Sequence, residues 1–251
     1  MAGEKQVVFR VRRYQPQGSK GPFYEDFRVP YRDDEVVLDG LNYIKDHLAP
    51  SLTFRWSCRM GICGSCGMDV NGRPRLTCGT FIRDVSPGGI VQVDPLTAFN
   101  SIKDLVVDFD PFMEHFLHVE PWIIRGKDQP LAQGEYIQFP EELAAYRQQS
   151  LCINCTLCYA ACPVFQGDSR FVGPASLALA LRYIRDTRDE GADERIDRLS
   201  TAHGIWECTF VGECSVVCPK EVDPAGAIQS LKVLATIRQM RRLLMPKARS
   251  R

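Results

Sequence analysis

Two stretches near the start of the chain, Gln6 to Tyr14 (QVVFRVRRY) and Phe23 to Val29 (FYEDFRV), concentrate β-branched and aromatic residues, with Pro, Gly and Ser between them. That pattern predicts a strand hairpin. From Val36 to Leu48 the period changes: Val37, Leu41, Ile44 and Leu48 recur at helical spacing and Pro50 stands just beyond as a stop, which predicts one helix. Asn71-Gly72 predicts a tight turn between strands at 67–70 and 73–76, and Ile90 to Val93 reads as one more strand. The first hundred residues therefore describe a small mixed sheet crossed by a helix.

After Pro140 the pattern turns helical. Helices are predicted over 141–149, over 176–185 with Pro174 in the first turn, and over 228–244, where Ile228, Leu231, Leu234, Ile237 and Leu244 lie on or near one face. Between 110 and 139 Pro and Gly recur without periodicity, which reads as a connecting segment. The domain boundary is placed near 108, giving domains 1–108 and 109–251.

Composition narrows the class. Hydrophobic residues make up 45% of 251, enough for a substantial core, and Lys+Arg balance Asp+Glu at 31 each, so the chain as a whole offers no attraction for nucleic acid. The last 27 residues hold seven basic and no acidic side chains. The opening MAGEKQVVFRVRR lacks a signal-peptide or presequence pattern, and no apolar run approaches the roughly 20 residues needed to span a bilayer. Eleven cysteines without an export signal point to metal ligation rather than disulfides.

Those cysteines fall in three groups. Cys58, Cys63, Cys66 and Cys78 have the C-x4-C-x2-C…C spacing of a plant-type [2Fe-2S] site, with Gly61, Gly64 and Gly67 between and beside the ligands. Four cysteines could instead form a zinc site, but zinc sites favour two separated pairs. Cys152, Cys155, Cys158 and Cys162-Pro163 repeat the bacterial ferredoxin run, in which the fourth cysteine serves the other cluster. The partner run is Cys208, Cys214 and Cys218-Pro219, with Val211 where the middle cysteine belongs. Crossed ligation gives one complete [4Fe-4S] set, Cys152, Cys155, Cys158 and Cys218. The other set, Cys162, Cys208 and Cys214, has three thiolates and an aliphatic fourth corner, which favours a [3Fe-4S] cluster. Four, four and three ligands use every cysteine and explain the odd total.

The motifs RWSCRMGICGSCG (55–67), CINCTLCYAACP (152–163) and CTFVGECSVVCPK (208–220), with Val222-Asp-Pro224, resemble the iron-sulfur subunits of the succinate dehydrogenase and fumarate reductase family, the fumarate reductase branch more closely. The resemblance spans nearly the whole chain. It implies an α+β protein with an N-terminal β-grasp plant-type [2Fe-2S] ferredoxin domain and a C-terminal all-α bacterial-ferredoxin-like domain. It also implies a flavoprotein partner with FAD, one or two membrane anchor subunits, and a quinone at the interface, on the cytoplasmic face of a prokaryotic membrane. By motif match Pro163, Thr209, Phe210, Gln229 and Lys232 are expected at the quinone, with Trp206 a weaker candidate. The basic tail is expected to meet anionic headgroups.

Two other functions fit parts of this reading. A soluble flavoprotein partner, as in thiol-dependent fumarate reductases or glycolate-oxidase-like complexes, would keep the same clusters, although such relatives often add cysteine-rich C-terminal domains. A zinc-stabilised interaction protein would hold zinc and no sulfide. The four histidines, at 47, 115, 118 and 203, show no metal spacing with the cysteines and are assigned no role.

Overall fold

Strand β1 (Lys5–Arg13) alternates buried and half-buried positions from Val7 to Arg13, the period-2 pattern of a strand whose two faces differ in cover. In a computed structural model, which describes residues 5–17, 21–126 and 130–244, β1 pairs antiparallel with β2 (Phe23–Tyr31), Phe9 opposite Phe27. On its other side β1 runs parallel to β5 (Ile90–Asp94). The hairpin of β3 (Gly67–Val70) and β4 (Arg73–Leu76) completes a five-stranded sheet in the order β2-β1-β5-β3-β4. Asn71 and Gly72 both take positive φ, 50° and 74°, as a two-residue hairpin turn of primed type requires.

The crossing helix is Val37–Tyr43, continued by a π-helical turn over Ile44–Leu48 in which the Ala49 N–H donates to the Ile44 carbonyl. Val37, Leu41 and Ile44 are buried as the periodicity predicts, whereas Leu48 is exposed. The wider π turn adds a residue and rotates Leu48 off the core face. Gly40 leaves room for the Phe9 ring against the helix, where a Cβ would collide. A buried ion pair ties this unit together: the Arg13 guanidinium donates to Asp104 at 3.0 Å, and Asp104 also accepts from the Tyr14 and Thr53 N–H groups.

The chain divides into two units, Met1–Pro111 with Ile153–Ala161, and Phe112–Cys152 with Cys162–Arg251. In the second, the helices Pro174–Ile184 and Pro224–Leu244 pack together, burying Leu177, Ala178 and Leu181 on one and Ile228, Leu231 and Ala235 on the other. A third helix, Ala192–Leu199, was not signalled by apolar periodicity because charged residues dominate it. One of them, Arg195, is fully buried: it pairs with Asp189 at 2.6 Å and donates to the carbonyls of Val119, Glu120 and Trp122.

Three sequence expectations need correction. The segment read as a connector contains a helix, Asp110–His118, opened by an acidic residue and a proline, the ordinary N-terminal chemistry of a helix. The helix predicted over 141–149 is two short pieces, Pro140–Ala144 and Arg147–Ser150, interrupted at Tyr146, whose φ of −135° leaves the helical region. Along the last helix the predicted apolar face is covered only at first: Ile228 and Leu231 are buried, but Ile237 and Leu244 are exposed.

Candidate metal centres

The β3–β4 register sets the first thiol group. Cys66 immediately precedes β3 and Cys78 lies in the 3-10 turn Thr77–Gly79 that follows β4. The Thr77 N–H and hydroxyl both donate to the Cys66 carbonyl, at 3.1 and 3.0 Å, so the closing residues of the hairpin hold these two cysteines beside each other. Cys58 and Cys63 come from a loop that turns through positive φ at Arg59, Gly61 and Gly64. This folds the backbone so that the N–H groups of Met60, Ile62 and Cys63 point at the Cys58 sulfur, at 3.5, 3.3 and 3.3 Å.

Those donors, that of Met60 foremost, lower the Cys58 thiol to about 6. Cys78 moves the opposite way, to about 11, because burial and the adjacent Cys66 thiol disfavour its charge, with the Gly61 N–H opposing. Backbone donors aimed at sulfur favour thiolate over thiol. The donor set thus fits a thiolate-ligated iron-sulfur cluster.

In the second unit Cys162, Cys208 and Cys214 line one small cavity together with Pro163, Thr209, Phe210 and Val211. Cys162 caps the short helix Pro163–Gly167, and the N–H groups of Phe165 and Val164 bond its sulfur. Burial nonetheless raises its pKa, with the Cys208 thiol adding to the effect. Cys214 is pushed up to about 12 by burial first and then by the neighbouring Cys162 and Cys208. Phe210 (φ +60°) and Gly212 (φ +88°) flank Val211. A positive φ is uncommon for an aromatic residue, and this turn leaves Phe210 and Val211 more than half exposed, 58% and 57%. Three thiols and one isopropyl group therefore share the cavity, which fits a cluster with three protein ligands.

The remaining cysteines divide between the units: Cys155 and Cys158 belong to the first, Cys152 and Cys218 to the second. Cys218 accepts from the Val222 N–H at 3.3 Å. Of the residues expected at a quinone, Pro163, Thr209 and Phe210 line the three-thiol cavity. Lys232 donates to the Cys208 carbonyl at 2.7 Å. The Gln229 side-chain nitrogen is buried with no hydrogen-bond partner. Trp206 lines a different depression, with Ile196, Arg238 and Arg242.

Sequence reasoning missed one constellation: Asp168, His203 and Glu207 place a ligand atom each within 4.8 Å of one another. No spacing rule could find it, since loop geometry alone joins 168 to 203. Arg170 already holds both oxygens of Asp168, and His203 lies 3.1 Å from Glu207, so these charges form a self-satisfied network. His115 bonds the Ser169 carbonyl and His47 stacks on Tyr43.

These thiol sets, one on a mixed sheet and one among helices, define a two-domain iron-sulfur protein. The sequence bears this out: residues 8–114 match a 2Fe-2S iron-sulfur cluster binding domain and residues 148–222 a 4Fe-4S dicluster domain. The fumarate reductase iron-sulfur subunit of Mycobacterium tuberculosis is 52% identical over 96% of this chain and 97% of its own. The succinate dehydrogenase iron-sulfur subunit of Coxiella burnetii is 33% identical over 90% and 95%. Among solved structures, a chain of the Mycobacterium smegmatis Sdh1 complex in the apo form superposes with a TM-score of 0.86 at 28% identity, covering 95% of this chain and 98% of that one.

The chain belongs to the family of fumarate reductase and succinate dehydrogenase iron-sulfur subunits. It is the iron-sulfur subunit of such an oxidoreductase complex, with the α+β fold the sequence implied. It is a peripheral subunit of a respiratory complex, and among the described residues no helix is long and apolar enough to cross a membrane.

Proposed function

We propose that this subunit links the FAD of a flavoprotein subunit to a quinone held where it meets one or two membrane-anchor subunits, on the cytoplasmic face of a prokaryotic membrane. Succinate oxidation to fumarate releases two electrons and two protons, and quinone takes up two of each to become quinol; fumarate reduction is the reverse. When bound, the clusters supply one-electron redox chemistry. The chain's own residues hold and tune them. Cys58, Cys63, Cys66 and Cys78 ligate the [2Fe-2S] centre, Cys152, Cys155, Cys158 and Cys218 the [4Fe-4S] centre, and Cys162, Cys208 and Cys214 a [3Fe-4S] centre beside the quinone.

One observation supports this reading above the others: a single cavity gathers three cysteines, with Val211 at the position of the missing fourth, and shares its rim with Thr209, Phe210 and Pro163. The dicluster domain description names two four-iron sites, but an aliphatic side chain offers iron nothing to bind, so the second site is assigned three irons. The orphan amide of Gln229 suits a quinone carbonyl, because a buried donor without a partner costs free energy that a ligand acceptor removes. Phe210 offers an aromatic face for the ring.

The higher identity to the fumarate reductase relative than to the succinate dehydrogenase one favours the fumarate reductase branch. The basic tail is proposed to approach the headgroups. Arg238 and Arg242 are already paired with Asp197, however, which leaves less free charge than composition suggests, and Lys247, Arg249 and Arg251 lie outside the described residues. Purification of the native membrane complex, identification of its subunits and assay of both directions with several quinones tests the proposal. A complex containing a flavoprotein and linking succinate or fumarate to a quinone is expected; a complex without a flavoprotein overturns it.

A further inference from the structure

Cys155 is pressed against the two-iron loop from both sides of the contact. On the loop side stands Gly64 (φ +73°), where a Cβ would lie 2.9 Å from the Ile153 carbonyl oxygen and 3.0 Å from both Cα and Cβ of Cys155. These are backbone atoms or atoms one bond from it, so no side-chain rotation relieves the collision. Gly67 is close as well, its Cβ position 3.2 Å from the Cys155 carbonyl and 3.1 Å from the Leu157 side chain. On the far side, the residues flanking Cys155 both adopt positive φ, Asn154 at 54° and Thr156 at 60°. Neither is glycine, so the segment pays strain to present Cys155 in this position. The buried Thr156 and Leu157, and the bond from the Thr156 hydroxyl to the Cys155 carbonyl at 2.7 Å, hold it there.

We propose that Gly64 is a positioning residue for electron transfer: by lacking a side chain it lets Cys155 touch the Cys63–Cys66 loop and so sets the coupling between the two-iron and four-iron centres. The inference rests on the ligand reading above, with Cys63 and Cys66 on one centre and Cys155 on the other. Electron transfer between fixed centres weakens steeply with the gap to be crossed. Here the path from Cys63 to Cys155 needs one peptide unit, to Gly64, and a single van der Waals contact. A methyl group at 64 would force the Ile153–Cys155 backbone away and widen that gap without removing any ligand.

The test uses the purified complex with its paramagnetic centres chemically reduced. A nearby paramagnet accelerates the spin relaxation of the two-iron centre, so microwave power saturation of its EPR signal reads the interaction directly. In Gly64→Ala the two-iron signal keeps its g values and intensity but saturates at lower power. Gly67→Ala shifts saturation the same way by less, because the flexible end of Leu157 is its nearest neighbour. Gly61→Ala carries the same φ penalty (+69°) with nothing within 4 Å, and leaves saturation as in the wild type. If Gly64→Ala fails to retain its clusters, Gly67→Ala against Gly61→Ala decides by the same readout. Unchanged saturation in Gly64→Ala with clusters intact overturns the proposal, as does an equal shift in Gly61→Ala, which would assign the effect to strain. Absence of any two-iron signal in the wild-type complex is a separate result, and would remove the ligand reading instead.

Discussion

The Cys58 loop and the three-thiol cavity hold sulfur in opposite ways. Around Cys58 the loop folds through three positive-φ residues and turns its N–H groups onto the sulfur, so the thiolate is stabilised before any iron arrives. In the three-thiol cavity, burial and mutual proximity raise Cys162 and Cys214, so metal binding must supply what the protein withholds. The Cys58 loop is ordered by its backbone, the three-thiol cavity chiefly by packing, as is Cys78 within the first site.

The largest expected change breaks the second site's defining feature. Val211→Cys supplies a fourth thiolate at the cavity rim, so the oxidised protein loses its three-iron EPR signal and gains one iron per chain. Persistence of that signal, with the new thiol still open to alkylation, would mean that residue 211 does not face the vacant corner.

Next come the frameworks. Each unit is built over a buried ion pair, Arg13–Asp104 and Arg195–Asp189, and truncating one partner of such a pair costs about 3–5 kcal/mol because the other charge is left unpaired. Asp104→Ala and Arg195→Ala are each expected to lower unfolding free energy by about that amount. Their effects on the centres differ. Asp104 anchors the Thr53 N–H just ahead of the Cys58 loop, so its loss weakens the two-iron signal, whereas Arg195 ties down Val119 to Trp122 and its loss spares the three-iron signal in the molecules that fold. Denaturant titration followed by EPR at two temperatures separates the two.

A smaller effect appears in the cluster-free chain. A thiol lowered to about 6 is mostly thiolate above that pH, and one raised to about 12 stays protonated through neutral pH. Iodoacetamide labelling at Cys58 should therefore rise through pH 6 and level off, while Cys214 stays unreacted at pH 7–9. Peptide mass spectrometry reads both sites in one sample. Equal labelling would remove the electrostatic contrast.

How much of this was legible in the sequence depends on the range of the interaction concerned. Cysteine spacing reports ligands because the cluster imposes it locally, and Asn71-Gly72 reports a hairpin because the turn needs positive φ at both residues. By contrast, the role of Gly64 depends on residues 153 and 155, ninety positions away. The meeting of His203 with Asp168 depends on loop closure, and the burial of Arg195 on carbonyls more than seventy residues distant. Helix Ala192–Leu199 was missed for that same reason: its anchor is an arginine, which periodicity counts as a solvent residue. Leu48 misled because a π turn shifts the register after Ile44, and nothing in an apolar repeat announces it.

The smallest effect concerns the outer rim of the second site, where the comparison can be sharpened most. Gln229 has a buried amide nitrogen without a partner, whereas the sulfur of Cys58 in the first unit is fully attended by donors. If a quinone oxygen is the missing acceptor, Gln229→Leu loses one hydrogen bond of about 1 kcal/mol, roughly a fivefold rise in KM for quinone. Turnover with a soluble dye that accepts electrons from the flavoprotein subunit would be unchanged. The same substitution removes an unsatisfied donor from the quinone-free protein, so its thermal midpoint holds or rises. Weaker quinone use together with equal or greater stability is the outcome expected of a donor kept for a ligand. Loss of stability with unchanged KM would instead make Gln229 a packing residue and move the quinone away from the helix that begins at Pro224.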